Sequence, residues 1–192
     1  MKLHLGCGKR DFGPEWIHID GADFPHIKSH DITKLDFEDN TVDLIYSSHT
    51  LEYFDRIEVI EVLKEWLRVL KPNGVLRLAV PDFESMVHLY IVGGELESFL
   101  GPLYGRMDMG DTKIYHRTCY DFKSLKTLLE NNGFTDVSVY DWRETEHSHI
   151  DDHSQAYLPH MDKEHGTLIS LNVECKKKWY DTNIWNCSGI WK

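Results

Sequence analysis

The chain of 192 residues has a formal net charge of −11. That length suits one domain with a full core, and that charge disfavours a protein gripping nucleic acid through its phosphates. No apolar run approaches the ~18–20 residues of a membrane span, no basic-then-apolar leader opens the chain, and its four cysteines lack C-x-x-C spacing, so a soluble, cytoplasmic protein with reduced thiols and no membrane partner is expected.

The first apolar alternation, Lys2–Leu5, predicts a strand and runs straight into Gly6-Cys7-Gly8. A second strand pattern, Trp16–Asp20, ends on an acid, and a shorter one follows at Ile27–Asp31. Glycines after a strand let the backbone turn sharply and let a ligand approach without a Cβ in the way. An acid at the end of the next strand is placed to take both hydroxyls of a ribose. A dinucleotide fits poorly, because G-x-G-x-x-G needs glycine where this chain has Asp11. Only Lys9–Glu15 separates the turn from the next strand, against the ~10–12 residues of an ordinary crossover. No multi-turn helix fits, so no developed helix dipole is available for a pyrophosphate. A ligand with ribose and adenine but no phosphate meets these limits, as S-adenosylmethionine (SAM) does.

Further strands are predicted at Val42–Ser47, Gly74–Val80, Thr135–Trp142 and Thr167–Cys175. In "DRIEVIEVLKEWLRVLKPNG", Ile57, Ile60, Leu63, Trp66 or Leu67, and Leu70 form one helical apolar stripe, which Lys71-Pro72-Asn73-Gly74 ends. "DFESMVHLYIVGG" predicts another helix, and "YDFKSLKTLLENNGF" a third, with Asp121 as N-cap and Asn132-Gly133 as stop. Alternating strands and helices predict an α/β domain with a mostly parallel sheet, and the last two strands, with no helix pattern between them, an antiparallel hairpin at one edge.

Taken together, these stretches carry a family resemblance. "LHLGCG" resembles the first motif of class I SAM-dependent methyltransferases. "HDITKLDFEDNTVDLIYSSHTLEYF" and "EWLRVLKPNGVLRLAVPD" resemble their segments running through strand four and into strand five. The short first crossover and a late "DD-x-S … LISLNVE" stretch resemble small predicted methyltransferases often linked to polysaccharide pathways. Asp36 stands where proline is usual and Tyr53 where histidine is usual, neither at a cofactor position. The likeness spans about residues 2–178. It implies a Rossmann-like three-layer sandwich with seven strands, the last antiparallel, and leaves residues 179–192, with three of the six tryptophans, as a tail.

The resemblance implies that Leu5, Gly6, Cys7 and Gly8 line the methionine moiety and that Asp20 holds the ribose. It places Asp31 on the adenine amino group, Ile32 on the ring, and Ser47, Ser48 and His49 beside the sulfonium. Asp31 also reads as a turn cap, and Asp43 and Glu52 read as structural. The acceptor's wall is expected in two places. One is "GPLYGRMDMGDTKIYHRTCYD", with Tyr115 and His116; the other is Arg143–Gly166, read as a lid carrying Asp151, Asp152 and His153. His116, then His49, are the candidates for a base, since imidazole titrates near working pH. Five of the twelve histidines fall between His147 and His165, and His149, Asp151 and His160 or His165 imitate a metal set. A loop gives such a set no rigid frame, so no metal is expected. The function expected is methyl transfer to a small polar acceptor such as a sugar or nucleotide sugar; SAM binding without transfer, in a regulatory or assembly role, is the alternative. The sequence leaves the oligomeric state open.

Overall fold

The computed structural model describes residues 1–110 and 112–179. The tryptophan-rich tail beyond Trp179 lies outside the described residues. Among these, the strands in chain order are β1 (Lys2–Leu5), β2 (Trp16–Ile19), β3 (Ile27–Ser29), β4 (Val42–Ser48), β5 (Leu70–Pro81), β6 (Met107–Asp108), β7 (Lys113–Ile114), β8 (Phe134–Val139), β9 (Tyr157–Leu158), β10 (Thr167–Leu168) and β11 (Ser170–Lys177). The helices are α1 (Glu58–Val69), α2 (Phe83–Ile91), α3 (Glu97–Tyr104) and α4 (Phe122–Asn131). Seven strands form one sheet in the order β3-β2-β1-β4-β5-β11-β8. All pair in parallel except β11, which is antiparallel to both β5 and β8. This is the Rossmann-like architecture the sequence predicts. The order reverses between β1 and β4, which puts a topological switch point at their carboxyl ends.

One face of the sheet is aliphatic. Leu3, Leu5, Ile45, Leu76, Leu78 and Val173 pack there with Val59, Leu63 and Trp66 of α1 and Leu125 and Leu129 of α4. The stripe of α1 is therefore Val59, Val62, Leu63, Trp66 and Val69 rather than one beginning at Ile57, which is exposed at the helix entrance. The Lys-Pro-Asn-Gly stretch ends α1 as predicted, since Pro72 cannot continue the helical ladder. It then forms a bulge inside β5, where pairing jumps from Leu70 opposite Val42 to Val75 opposite Leu44. Asp121 caps α4 in a reciprocal pair with Ser124.

The opposite face is aromatic and polar, and it lies where the first crossover passes. Right-handed connections put the β1–β2 and β4–β5 crossovers on opposite faces, because they travel in opposite directions along the sheet. With α1 on the aliphatic side, seven residues without a helix are left for the other. His4 stands opposite His18 in β2 and Tyr46 in β4. Phe12 from the short loop stacks on His4 at 4.0 Å, and His147 stacks on the far side of Phe12 at 4.2 Å. The long segment expected as a lid is thus packed on the sheet. Asp152 is buried, accepts a hydrogen bond from the Tyr46 hydroxyl, and caps the turn at His153–Gln155 through Ser154. Glu146 meets both Lys2 and Arg77.

Phe12→Ala should remove the middle of the three-ring stack. The expected cost is about 3 kcal/mol, the low end for a buried phenylalanine because this ring is partly exposed. Urea unfolding of the full chain measures it, and protection of the 143–166 segment from proteolysis should fall in parallel.

Candidate active site

At the carboxyl ends of β1, β2 and β3 lies a cavity of about 940 Å³, within the usual range for a small-molecule site. Four of the expected cofactor residues line it: Gly6, Asp20, Asp31 and Ile32. Gly6 adopts φ +68°, and a Cβ built on it would fall 2.0 Å from Thr50 Oγ1. Only glycine fits there, because both the backbone angle and the space forbid a side chain. Asp20 is buried and fixes the loop: Oδ2 accepts from Gly8 N at 2.7 Å and Oδ1 from Ala22 N at 2.7 Å. Each carboxylate oxygen keeps further acceptor capacity toward the cavity.

Asp31 takes up the turn-cap reading and also borders the cavity. Its Oδ1 accepts from Thr33 N at 2.8 Å, from Thr33 Oγ1 and from Lys34 N, the turn cap foreseen as the rival reading. Those bonds from Thr33 hold its carboxyl below the usual carboxylate range. The residue nonetheless lines the cavity and stays exposed. Ile32 packs against the core, and its carbonyl accepts from Trp66 Nε1 at 2.7 Å, which fixes this wall.

The remaining expected residues lie around the cavity rather than on it. Leu5 and Cys7 are buried, and burial pushes the Cys7 thiol up to about 12, so it is neutral. Ser47 and Ser48 are buried with unpartnered hydroxyls. His49 follows β4 with φ +48°. Tyr115 is exposed and lines the cavity, while His116 lies behind it, its Nδ1 bonded to the Pro102 carbonyl at 3.0 Å. Burial lowers the pKa of both His49 and His116. Asp151 is on the surface, paired with Lys163 at 2.7 Å. With Asp152 turned into the core, of that trio only His153 faces the switch point, its ring 5.1 Å from that of His49. Among the described residues no group of three or more His, Cys, Asp or Glu side chains is arranged to hold a metal ion, and no helix is long and apolar enough to cross a membrane.

Sequence reasoning passed over several cavity residues. Thr50, Tyr53 and Phe54 line it from the turn after β4, and Ile114 and Arg117 from the segment before α4. Tyr53 had been given no cofactor role, yet it forms part of the wall. Glu52 is the larger surprise. It is 0% exposed, neither carboxylate oxygen has a hydrogen-bond partner, and burial pushes its pKa up to about 8. Its neighbours Tyr53 and Thr50 were legible as part of a motif; its burial was not.

Residues 3–78 match the family model described as a methyltransferase domain. No curated protein matches the chain in sequence. Among solved structures, a SAM-dependent methyltransferase from Methanosarcina mazei aligns with TM-score 0.58 at 19% identity, over 93% of this chain and 92% of that one. One from Archaeoglobus fulgidus aligns with TM-score 0.57 at 18% identity, over 92% and 85%. The 1,6-didemethyltoxoflavin-N1-methyltransferase of Burkholderia thailandensis, solved with its acceptor and S-adenosylhomocysteine (SAH), aligns with TM-score 0.55 at 12% identity, over 93% and 71%. The chain has the fold of SAM-dependent methyltransferases.

The raised pKa of Glu52 has a signed consequence. Between the ordinary glutamate value of 4.5 and about 8, the folded state holds a proton that the unfolded chain has released. This group's contribution to stability therefore falls as pH rises through that window. Glu52→Gln removes the slope, so its stability relative to the parent should grow from pH 5 to pH 8. Urea midpoints at the two pH values check this; a constant difference would contradict it.

Proposed function

We propose that the protein is a SAM-dependent methyltransferase acting on a small polar acceptor. The observation that carries the reading is the convergence on one cavity of Gly6, stripped of any Cβ, the buried Asp20 carboxylate and the apolar wall of Ile32. Asp20 would accept from the ribose hydroxyls with the oxygen capacity left after Gly8 and Ala22. Ile32 and Phe54 would hold the adenine ring, and Asp31, whose Oδ2 is free of the cap bonds, would accept from its amino group. The Gly6–Gly8 backbone would carry the methionine part toward Ser47, Ser48 and His49. The absence of a helix from the β1–β2 crossover is no loss for a ligand without phosphate.

When bound, SAM supplies a methyl group whose carbon–sulfur bond breaks with its electron pair left on sulfur as the acceptor's lone pair forms the new bond. The chain's own part is to position the acceptor, which supplies ~7–11 kcal/mol in well-oriented reactions, and to take the proton that a hydroxyl or amine acceptor gives up. His49, His116, His153 and Tyr115 stand around the region where the acceptor would lie. The sugar or nucleotide-sugar acceptor rests on the likeness to the polysaccharide-linked group, and the cavity is large enough for cofactor and small acceptor together. A cytoplasmic location follows from the same reading.

SAM or SAH should raise the melting temperature in a concentration-dependent way, since each would bind only the folded state. NADH should not, for want of a pyrophosphate site. Asp20→Ala should weaken SAH binding at least tenfold in calorimetry, because charge-assisted bonds contribute ~1.5–3 kcal/mol each. Asp20→Asn should be milder. Stabilisation by NADH alone would contradict the reading.

A further inference from the structure

Glu52 is buried without hydrogen bonds, yet it is not isolated. Its Oε1 faces His49 Nδ1 at 3.8 Å and His116 Nε2 at 3.6 Å. The polarity around both rings can be traced from groups whose role is fixed. The Ser154 carbonyl can only accept, so Asn172 donates to it through Nδ2 at 2.9 Å and turns Oδ1 to Ser170. Ser170 donates its hydroxyl proton to that Oδ1 at 3.0 Å, and so accepts from His49 Nε2 at 3.1 Å. Neutral His49 therefore carries its proton on Nε2 and turns its Nδ1 lone pair to Glu52. On the other side the Pro102 carbonyl accepts from His116 Nδ1, which turns the Nε2 lone pair of a neutral ring to the same oxygen. Three acceptors then meet in a buried space. They repel one another unless a proton lies among them.

We propose that Glu52, His49 and His116 share one bound proton, and that Glu52 is a positioning residue for catalysis, setting the tautomer and charge of the two imidazoles beside the region where a methyl acceptor would lie. The inference rests on the methyltransferase reading. In the resting trio Glu52 Oε1 carries the proton and turns it toward His116 Nε2, 3.6 Å away, and the net charge is zero. A second proton taken up by the trio adds to a ring nitrogen and makes the net charge one positive.

Two features show that the fold holds this geometry at a cost. His49 occupies a left-handed backbone angle that residues other than glycine rarely adopt. A Cβ on Gly105 would come within 2.5 Å of the His116 ring, so glycine makes room for the imidazole. Other titratable groups face the trio. Tyr53 meets His116 edge-on at 4.7 Å, and the buried Tyr120 hydroxyl lies near, its pKa raised by burial first and by Glu52 second. Burial, and then the charges of His153, His116 and Arg10, oppose protonation of His49. Arg117 donates only its backbone N to the Glu52 carbonyl, its guanidinium being held by Asp55 and Glu58.

The test is a nitrogen-15 NMR titration of the imidazoles in the full chain, parent against Glu52→Gln, without cofactor. In the parent, near neutral pH, the trio should hold one proton and the two rings should titrate as a coupled pair. In Glu52→Gln, the amide donates to a ring lone pair and no carboxylate remains, so the acid midpoints of both rings should fall by about one pH unit or more. Identical midpoints and tautomers in the two proteins would overturn the proposal. Should the variant not fold, carbon-13 labelling of glutamate in the parent decides: a Glu52 carboxyl ionised at pH 6 beside two neutral rings would overturn it. SAH calorimetry on the same parent sample keeps the two claims apart. A shared proton without SAH binding would remove the catalytic half of the proposal, whereas SAH binding without a shared proton would leave the cofactor reading standing and overturn the trio.

Discussion

A right-handed crossover between adjacent parallel strands has to pass over one face of the sheet, and the ten residues between β1 and β2, three of them the Gly6-Cys7-Gly8 turn, leave no length for a multi-turn helix there. Much else in the molecule answers that shortage. The exposed face would otherwise show His4, Trp16, His18 and Tyr46 to water. Phe12 and the 143–166 segment cover it instead, through ring stacking and the Asp152–Tyr46 bond. The same shortage removes the helix dipole that dinucleotide folds place under a pyrophosphate. What remains at the loop is a tight backbone turn held by one carboxylate, Asp20.

That carboxylate ties the loop to the cavity. It accepts from Gly8 and Ala22, so it defines the curvature of the glycine loop and at the same time borders the cavity. Residues that shape the cavity and residues that line it are here the same. Asp31 repeats the pattern with one oxygen capping a turn and the other left over. Around His49 and His116 the division is sharper. Both rings are bonded to backbone carbonyls, His116 directly and His49 through Ser170 and Asn172, which fixes ring tautomers instead of leaving them to solvent.

Much of the sheet was legible because strand alternation, Asp121 and Lys71-Pro72-Asn73-Gly74 are local signals with local causes. The glycine loop and Asp20 were legible for the same reason, being a turn and a strand end a few residues apart. What the sequence could not show depends on contacts between distant segments. The lid expected at 143–166 is a cover for the sheet, because nothing local says that His147 will find Phe12. Asp152 looked like a substrate contact until Tyr46 was seen beside it. Glu52 reads as structural in the sequence. Its unpartnered burial between His49 and His116 arises from three chain segments meeting, and periodicity carries no trace of that. Ile57, outside the α1 stripe, shows the smaller error that comes from starting a helical stripe one residue early.

If the cavity beyond β1, β2 and β3 takes the adenosyl part of SAM, a crystal structure of the protein with SAH will show it there. Ribose hydroxyls are expected within hydrogen-bond distance of Asp20, adenine against Ile32, and the sulfur turned toward His49. Electron density for SAH against the His147–His165 segment, with the cavity at Gly6 left to solvent, would contradict it.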